Sequence, residues 1–245
     1  MKRAAVYVDG FNLYHAVKSL GLAEYKWLNV RALVENFLPF SQYAPPVITY
    51  FSAYAHWLPE SMARHKRYIA ALQAVGVTPI LGRFAKDRKC VCKVCGDTEH
   101  FYVEKRTDVH IGVSMLRDAS TGNFDLLVLL SADSDFEPAL QIIHQKFPNI
   151  ELKVLVPPAQ QGSMALRKTV GVDNVSRIKH VHVQRSLLKQ EYAAPGSASP
   201  IIRPAEYDPL PMSDEKLAKL KQAEAMFARV ERKPPPRILP AGRRK

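Results

Sequence analysis

Two short stretches of the chain are apolar without interruption. Ala4-Ala5-Val6-Tyr7-Val8 and Leu126-Leu127-Val128-Leu129-Leu130 are too short for globular helices, and read as strands buried on both faces of a parallel sheet. β-Branched and aromatic enrichment predicts further strands over Val47–Ala55, Val77–Ala85 and 151–156, with a last one near Ile178–Val183. The intervening segments carry apolar residues at helical spacing. One helix is expected from Asn12 to about Leu20, closed by Gly21. Another is capped by Asn29, buries Val30, Leu33, Val34 and Phe37, and is stopped by Pro39. Pro59–Val75 reads as a helix with Met62, Ile69, Leu72 and Val75 inward and Gly76 as its C-cap. A helix from about Lys105 to Ala119 has Val109, Gly112, Val113 and Leu116 as its expected apolar face. Helices over 136–146 and Ser163–Thr169 follow.

This alternation of strand and helix predicts an α/β domain over residues 1–190, with a mostly parallel central sheet covered on both faces. Lys86–His100 breaks the pattern and is read as a Cys-rich insertion, over 86–103. From residue 191 the composition shifts. The segment 191–245 holds nine of the chain's 18 prolines and ends Arg243-Arg244-Lys245. It reads as a Pro-rich basic arm with one helix over 213–232, capped by Ser213 and striped by Leu217, Leu220, Ala223 and Phe227. Such an arm suits docking to a protein partner; an unstructured tail fits the composition as well.

Charge narrows the function classes. The 245 residues carry a formal net charge of +12, which favours a polyanionic partner, most simply RNA or another nucleic acid. No apolar run approaches the ~20 residues of a membrane span. The N-terminal apolar run is short and ends in Asp9, unlike a signal peptide, so a cytoplasmic chain is expected. The three cysteines fall between Cys90 and Cys95, a clustering that points to metal binding rather than disulfides.

Both fully apolar strands run into acids. The first leads to Asp9-Gly10-Phe11-Asn12 and the second to Ser131-Ala132-Asp133-Ser134-Asp135. The carboxyl edge of an open α/β sheet is where ligands bind, so neighbouring parallel strands would bring Asp9 and Asp133 into one crevice. Asp108, with Glu104 nearby, stands at the start of its helix. Asp108 also suits the helix dipole, and Asp135 also suits a helix cap. Carboxylates gathered in one pocket of a basic protein need a cation between them, and hard oxygen donors suit Mg²⁺ or Mn²⁺. That layout facing a basic groove is the layout of metal-dependent phosphodiester cleavage.

Three motifs carry a resemblance. Val8-Asp9-Gly10-Phe11-Asn12-Leu13-Tyr14, Glu104-Lys105-Arg106-Thr107-Asp108-Val109 and Ser131-Ala132-Asp133-Ser134-Asp135-Phe136 resemble, in order, the three motifs of the NYN domain, a branch of the PIN-like nucleases. The resemblance covers about residues 1–190. It implies a three-layer α/β/α sandwich and metal-dependent ribonuclease activity. By the same resemblance Asp9, Asp108 and Asp133 would be Mg²⁺ or Mn²⁺ ligands, and Asp135 would bind a second ion or its water shell. Asn12 would orient Asp9 or a phosphate, and Ser131 would support the acidic loop. Ala132 stands where the family usually has Gly, and Arg106 where it often has Gly. A non-catalytic RNA-binding or adaptor module and a structure-specific DNA nuclease are the competing readings.

Cys92-Lys93-Val94-Cys95-Gly96 is a C-x-x-C-G turn. With Cys90 and His100 it offers a tetrahedral Cys₃His site for structural Zn²⁺, separate from the acids. The flanking Arg83, Lys86, Arg88, Lys89 and Lys93 suit a sugar–phosphate backbone. Ser131, Lys105, Arg106, Ser163 and Lys168 are the expected substrate-binding residues, with Arg167 beside the last. Tyr14, Trp57 and Phe101 offer stacking surfaces, although aromatics at these positions more often pack in cores.

Overall fold

Leu126–Leu130 forms a strand in which all five residues are buried, and Ala4–Asp9 forms another in which all six are. The structure, a computed structural model, describes residues 1–91, 98–193 and 199–209, and the backbone alone over 87–91 and 98–101. These two strands, β1 (Ala4–Asp9) and β6 (Leu126–Leu130), lie side by side and parallel at the centre of a six-stranded sheet. From β1 the chain steps outward through β2 (Val47–Ser52) and β3 (Val77–Leu81). From β6 it steps the other way through β7 (Glu151–Val156) and β8 (Val175–Arg177). The order β3-β2-β1-β6-β7-β8 is parallel throughout. The direction of winding reverses between β1 and β6, and in such sheets a crevice opens at the carboxyl ends of the strands where it does.

Successive strand residues point to opposite faces, which divides the core in two. Val6, Val8, Val128 and Leu130 pack toward α1 (Gly10–Lys18), α2 (Val30–Glu35) and α3 (Pro59–Ala74), meeting Leu13, Leu33 and Leu72. Tyr7, Leu127 and Leu129 pack toward α4 (Thr107–Thr121), α5 (Glu137–Lys146) and α6 (Met164–Val170), meeting Ile111, Met115, Leu140 and Leu166. The result is the three-layer α/β/α sandwich. Each fully buried Val or Leu contributes about 1.5–3 kcal/mol, so the central strands are anchored from both sides.

Three expectations are corrected. The inward face of α4 is Ile111, Met115 and Ala119; Val109 and Val113 are 66% and 59% exposed. Two apolar stripes at helical spacing compete in this segment, and contact with the sheet and α5 selects the other one. The last strand of the central sheet is Val175–Arg177, with a separate two-stranded pair, Glu191–Tyr192 and Ile201–Ile202, later in the chain; most of Ile178–Val183 is instead the start of α7 (His180–Arg185), with Val183 facing the core. The strand expected to reach Ala85 ends at Leu81. Gly82 follows, and β4 (Arg83–Val91) then pairs antiparallel with β5 (Thr98–Lys105) as a separate hairpin. Its polar Lys86-Asp87-Arg88-Lys89 run shows no alternation that would have marked a strand. The pairing sets Cys90 opposite Glu99 and Lys89 opposite His100. Cys92 and Cys95, and the side chains of Cys90 and His100, lie outside the described residues.

The compact unit runs on to Asp208. Trp27 Nε1 donates to the Lys189 carbonyl at 2.8 Å, and Trp27, Ala71, Leu188 and Ile201 bury together. The remainder of the basic arm, including 213–232, lies outside the described residues. No described helix is long and apolar enough to cross a membrane.

Candidate active site

The first acid is fixed by the helix it starts. Asp9 ends β1 in extended backbone and caps α1, its Oδ1 accepting from the Asn12 amide at 3.0 Å. Its Oδ2 accepts from the Ser131 hydroxyl at 3.0 Å, across the gap to the end of β6. The same hydroxyl oxygen accepts from the Asp133 amide at 3.2 Å, and Asn12 Oδ1 accepts from the Ala132 amide at 3.1 Å. Asp133 caps the turn Ser134–Phe136, its Oδ1 accepting from the Asp135 amide at 3.0 Å. Side-chain hydrogen bonds thus stitch the two strand ends together and fix both acids.

Asp9 is only 5% exposed. Burial raises its pKa; the Asn12 amide and Ser131 hydroxyl oppose the rise, and the Asp133 charge adds to it. Asp108, near the start of α4, is exposed to the crevice. Partial burial pushes its carboxyl up to about 6, followed by the charges of Asp9, Glu104, Asp133 and Asp135. Acids from three separate parts of the chain therefore act on one another. Among the described residues, no group of three or more His, Cys, Asp or Glu side chains is gathered closely enough to hold a metal ion. The donor set nevertheless fits a hard divalent cation, because it is all oxygen and its mutual repulsion is what such an ion relieves.

The remaining candidates divide by what they touch. Asn12 braces the acidic loop through its side chain and Asp9 through its backbone. Ser131, expected among the substrate-binding residues, is fully buried with its hydroxyl committed to Asp9, so it positions the acids and does not meet substrate. Glu104 bonds the hydroxyl of Thr107 and accepts from its amide at 3.1 Å, so its carboxylate is tied to the first residue of α4. Lys105, Arg106 and Asp135 are exposed around the opening. Ser163 caps α6, accepting from the Ala165 amide at 3.2 Å, and Lys168 is exposed on that helix, which packs beside the Ser134–Phe136 turn. Arg167 Nε is buried with no hydrogen-bond partner among the described residues. Tyr14 is 40% exposed, whereas Trp57 stacks on Tyr102 with ring centroids 3.7 Å apart; the Phe101 side chain lies outside the described residues.

The two departures from the motif pattern prove unequal. Ala132 has no left-handed backbone, so alanine is accommodated there. Arg106 sits at φ 83°, the left-handed region where glycine is at home. Two features were not foreseen. Tyr50 donates from its hydroxyl to the Gly10 carbonyl at 3.4 Å, and its pKa is raised by burial and then by the charge of Asp9. A Cβ added at Gly10 would lie 2.5 Å from the Phe51 carbonyl oxygen, so only glycine lets α1 start this close to β2.

Comparison with known proteins agrees with this architecture. The sequence profile of the NYN domain matches residues 3–170. The chain is 28% identical over 219 residues to 6-hydroxy-3-succinoylpyridine 3-monooxygenase HspA of Pseudomonas putida (strain DSM 28022 / S16). That match covers 75% of this chain and 66% of the relative, so the chain spans just under two thirds of that protein's length. A crystal structure of a protein of unknown function from Vibrio parahaemolyticus RIMD 2210633 is similar in fold, with a TM-score of 0.50 at 21% identity. The match covers 76% of this chain and 96% of that one.

Proposed function

Because the chain belongs to the NYN domain family, within the PIN-like nuclease superfamily, we propose that it is a divalent-metal-dependent endoribonuclease. The observation that supports this most is the shared electrostatic field of Asp9, Asp108 and Asp133 at the reversal point of the sheet. Asp9, Asp108 and Asp133 would hold Mg²⁺ or Mn²⁺, and Asp135 a second ion or its water shell. When bound, the cation supplies charge neutralisation on the phosphate and leaving oxygen and acidifies the attacking water.

The chain's own residues do the rest. Ser131 and the Asn12 amide hold Asp9 rigid, and Asn12 Oδ1 holds the loop that carries Asp133. Pre-placed acids spare the reaction the cost of assembling them. Lys105 and Arg106, just before Asp108 in the chain, and Lys168 on α6, which packs beside the Ser134–Phe136 turn, are exposed cations that would suit the flanking phosphates. Hydrolysis adds water oxygen to phosphorus, breaks one P–O bond, and returns a proton to the leaving oxygen. Structural Zn²⁺ at Cys90, Cys92, Cys95 and His100, a cytoplasmic setting and a protein partner for the arm are further parts of this reading.

The test is cleavage of labelled RNA and DNA in Mg²⁺, Mn²⁺ or EDTA by the parent chain and Asp133→Asn. RNA cleavage that needs metal and falls about a thousandfold in the variant supports the proposal. Equal RNA binding by both with no cleavage by either overturns it in favour of a binding module, and preference for branched DNA overturns the substrate.

A second reading rests on the Pseudomonas relative, named for a monooxygenase acting on 6-hydroxy-3-succinoylpyridine. On that reading the chain acts on a small substituted pyridine. Turnover of that compound without RNA cleavage would select it.

A further inference from the structure

A cavity of about 160 Å³ opens beside the acids, on the β2 side of β1. Gly10 and Phe11, the two residues after Asp9, form one wall, and Ser52 and Ala53 at the end of β2 form another. The close seating of Gly10 on Phe51 makes this wall and Asp9 one rigid piece. The rest of the lining comes from distant parts of the chain: Tyr14, Lys26, His65, Phe84 and Tyr207.

Three features describe the occupant. The first is size, since a cavity of about 150 Å³ accepts a benzene-sized ring. The second is the wall chemistry. Phe11 and Phe84 meet edge to face with centroids 5.4 Å apart and an interplanar angle of 81°, and Tyr14 beside them is 40% exposed. Such rings favour another flat ring. The third is a small polar rim. Ser52 Oγ lies 3.3 Å from His65 Nε2, and the hydroxyl-bearing Ser61 is close by. Burial lowers the His65 pKa to about 4, so the rim near it offers hydrogen bonds without charge. Tyr207 closes one side, steadied by the Arg64–Glu206 ion pair at 3.1 Å and by Lys26 Nζ, 5.7 Å from its ring centroid. A flat, uncharged, single-ring heterocycle matches all three.

We infer that this cavity is a base-binding subsite that takes one pyrimidine of the RNA strand, next to the phosphodiester attacked at the acids. The inference rests on the ribonuclease reading and deepens it. It makes the enzyme selective for a base at one position rather than for overall sequence. Stacking favours any base, and the size of the cavity makes the choice: a single ring fits where a fused purine does not, so a preference of about tenfold or more is expected.

The experiment uses the full chain and needs no turnover. Uridine, adenosine and 2-hydroxypyridine are titrated into the parent, Ser61→Phe and Phe84→Leu, with binding followed by saturation-transfer NMR. Uridine is expected to bind about tenfold tighter than adenosine, and to lose about tenfold in Ser61→Phe, which fills the cavity, and in Phe84→Leu, which removes a ring. Having two variants guards against one that fails to fold. Uridine binding that neither folded variant weakens overturns the subsite. Binding of 2-hydroxypyridine without uridine overturns the RNA base in favour of a free small molecule. A second readout is the ratio of cleavage beside pyrimidines to cleavage beside purines, which should exceed ten in the parent and approach one in Ser61→Phe. Uridine binding without any cleavage overturns the nuclease and leaves the subsite. Cleavage with neither base preference nor uridine binding does the reverse.

Discussion

The end of β1 has two unlike neighbours. Toward β6 lie carboxylates held by hydroxyl, amide and side-chain oxygen contacts. Toward β2 lies a ring-lined cavity that holds a neutral His65, with Lys26 in its lining beside Tyr207. The first region concentrates charge and needs a partner to relieve it. The second is lined mostly by rings and hydroxyls, with Lys26 as its cation, and on the reading above would select by shape. Two adjoining residues, Asp9 and Gly10, belong one to each. The difference teaches that a single strand end can place an acidic cluster and a ring-lined cavity side by side, provided the backbone between them is stiff.

Gly10→Ala attacks that stiffness and carries the largest expected effect on folding. The new Cβ meets backbone at Phe51 as well as the Tyr50 ring, so helix start and strand must part. A loss of about 3 kcal/mol in urea unfolding is expected, together with weaker uridine binding and slower cleavage. Damage confined to one region would show that the two are not coupled through this residue.

His65→Gln tests the ring-lined region next. In the fold the imidazole pKa is lowered to about 4 from its ordinary 6.5, so the unfolded chain binds the proton first as pH falls. This contribution to stability is complete above about pH 6.5 and is lost as the pH drops toward 4. Between about pH 7 and pH 4.5 the parent is expected to lose about 2 kcal/mol more than His65→Gln, read from denaturant midpoints at each pH.

Ser131→Ala addresses the acids alone. It removes a donor to Asp9 and an acceptor for the Asp133 amide. Cleavage is expected to fall about tenfold while uridine affinity holds, since the hydroxyl is remote from the ring cavity. Arg106→Gly has the smallest effect and the opposite sign. Relief of the left-handed backbone at φ 83° should add about 1 kcal/mol and raise the thermal midpoint by about 3 °C.

The same contrast decides what could be read from the sequence. The acids were legible because two wholly apolar strands each ran into an aspartate, and strands of that kind sit at the centre of parallel sheets. The stripe on α4 was not, since Val109 and Val113 compete with Ile111 and Met115 at equal spacing and only packing chooses between them. Arg106 showed as a departure from glycine, but its left-handed backbone is set by how β5 turns into α4, which no residue pattern spells out. The ring cavity left no local signal. Its lining is drawn from Phe11, Lys26, His65, Phe84 and Tyr207, and aromatic residues scattered in this way look like core.

Tyr207 carries a last consequence. It lies well beyond residue 170, where the match to the family profile ends, yet it walls the cavity. One wall of the cavity is therefore encoded apart from the stretch that carries the acids. A change confined to the segment around Tyr207 would reshape that wall while leaving every aspartate in place.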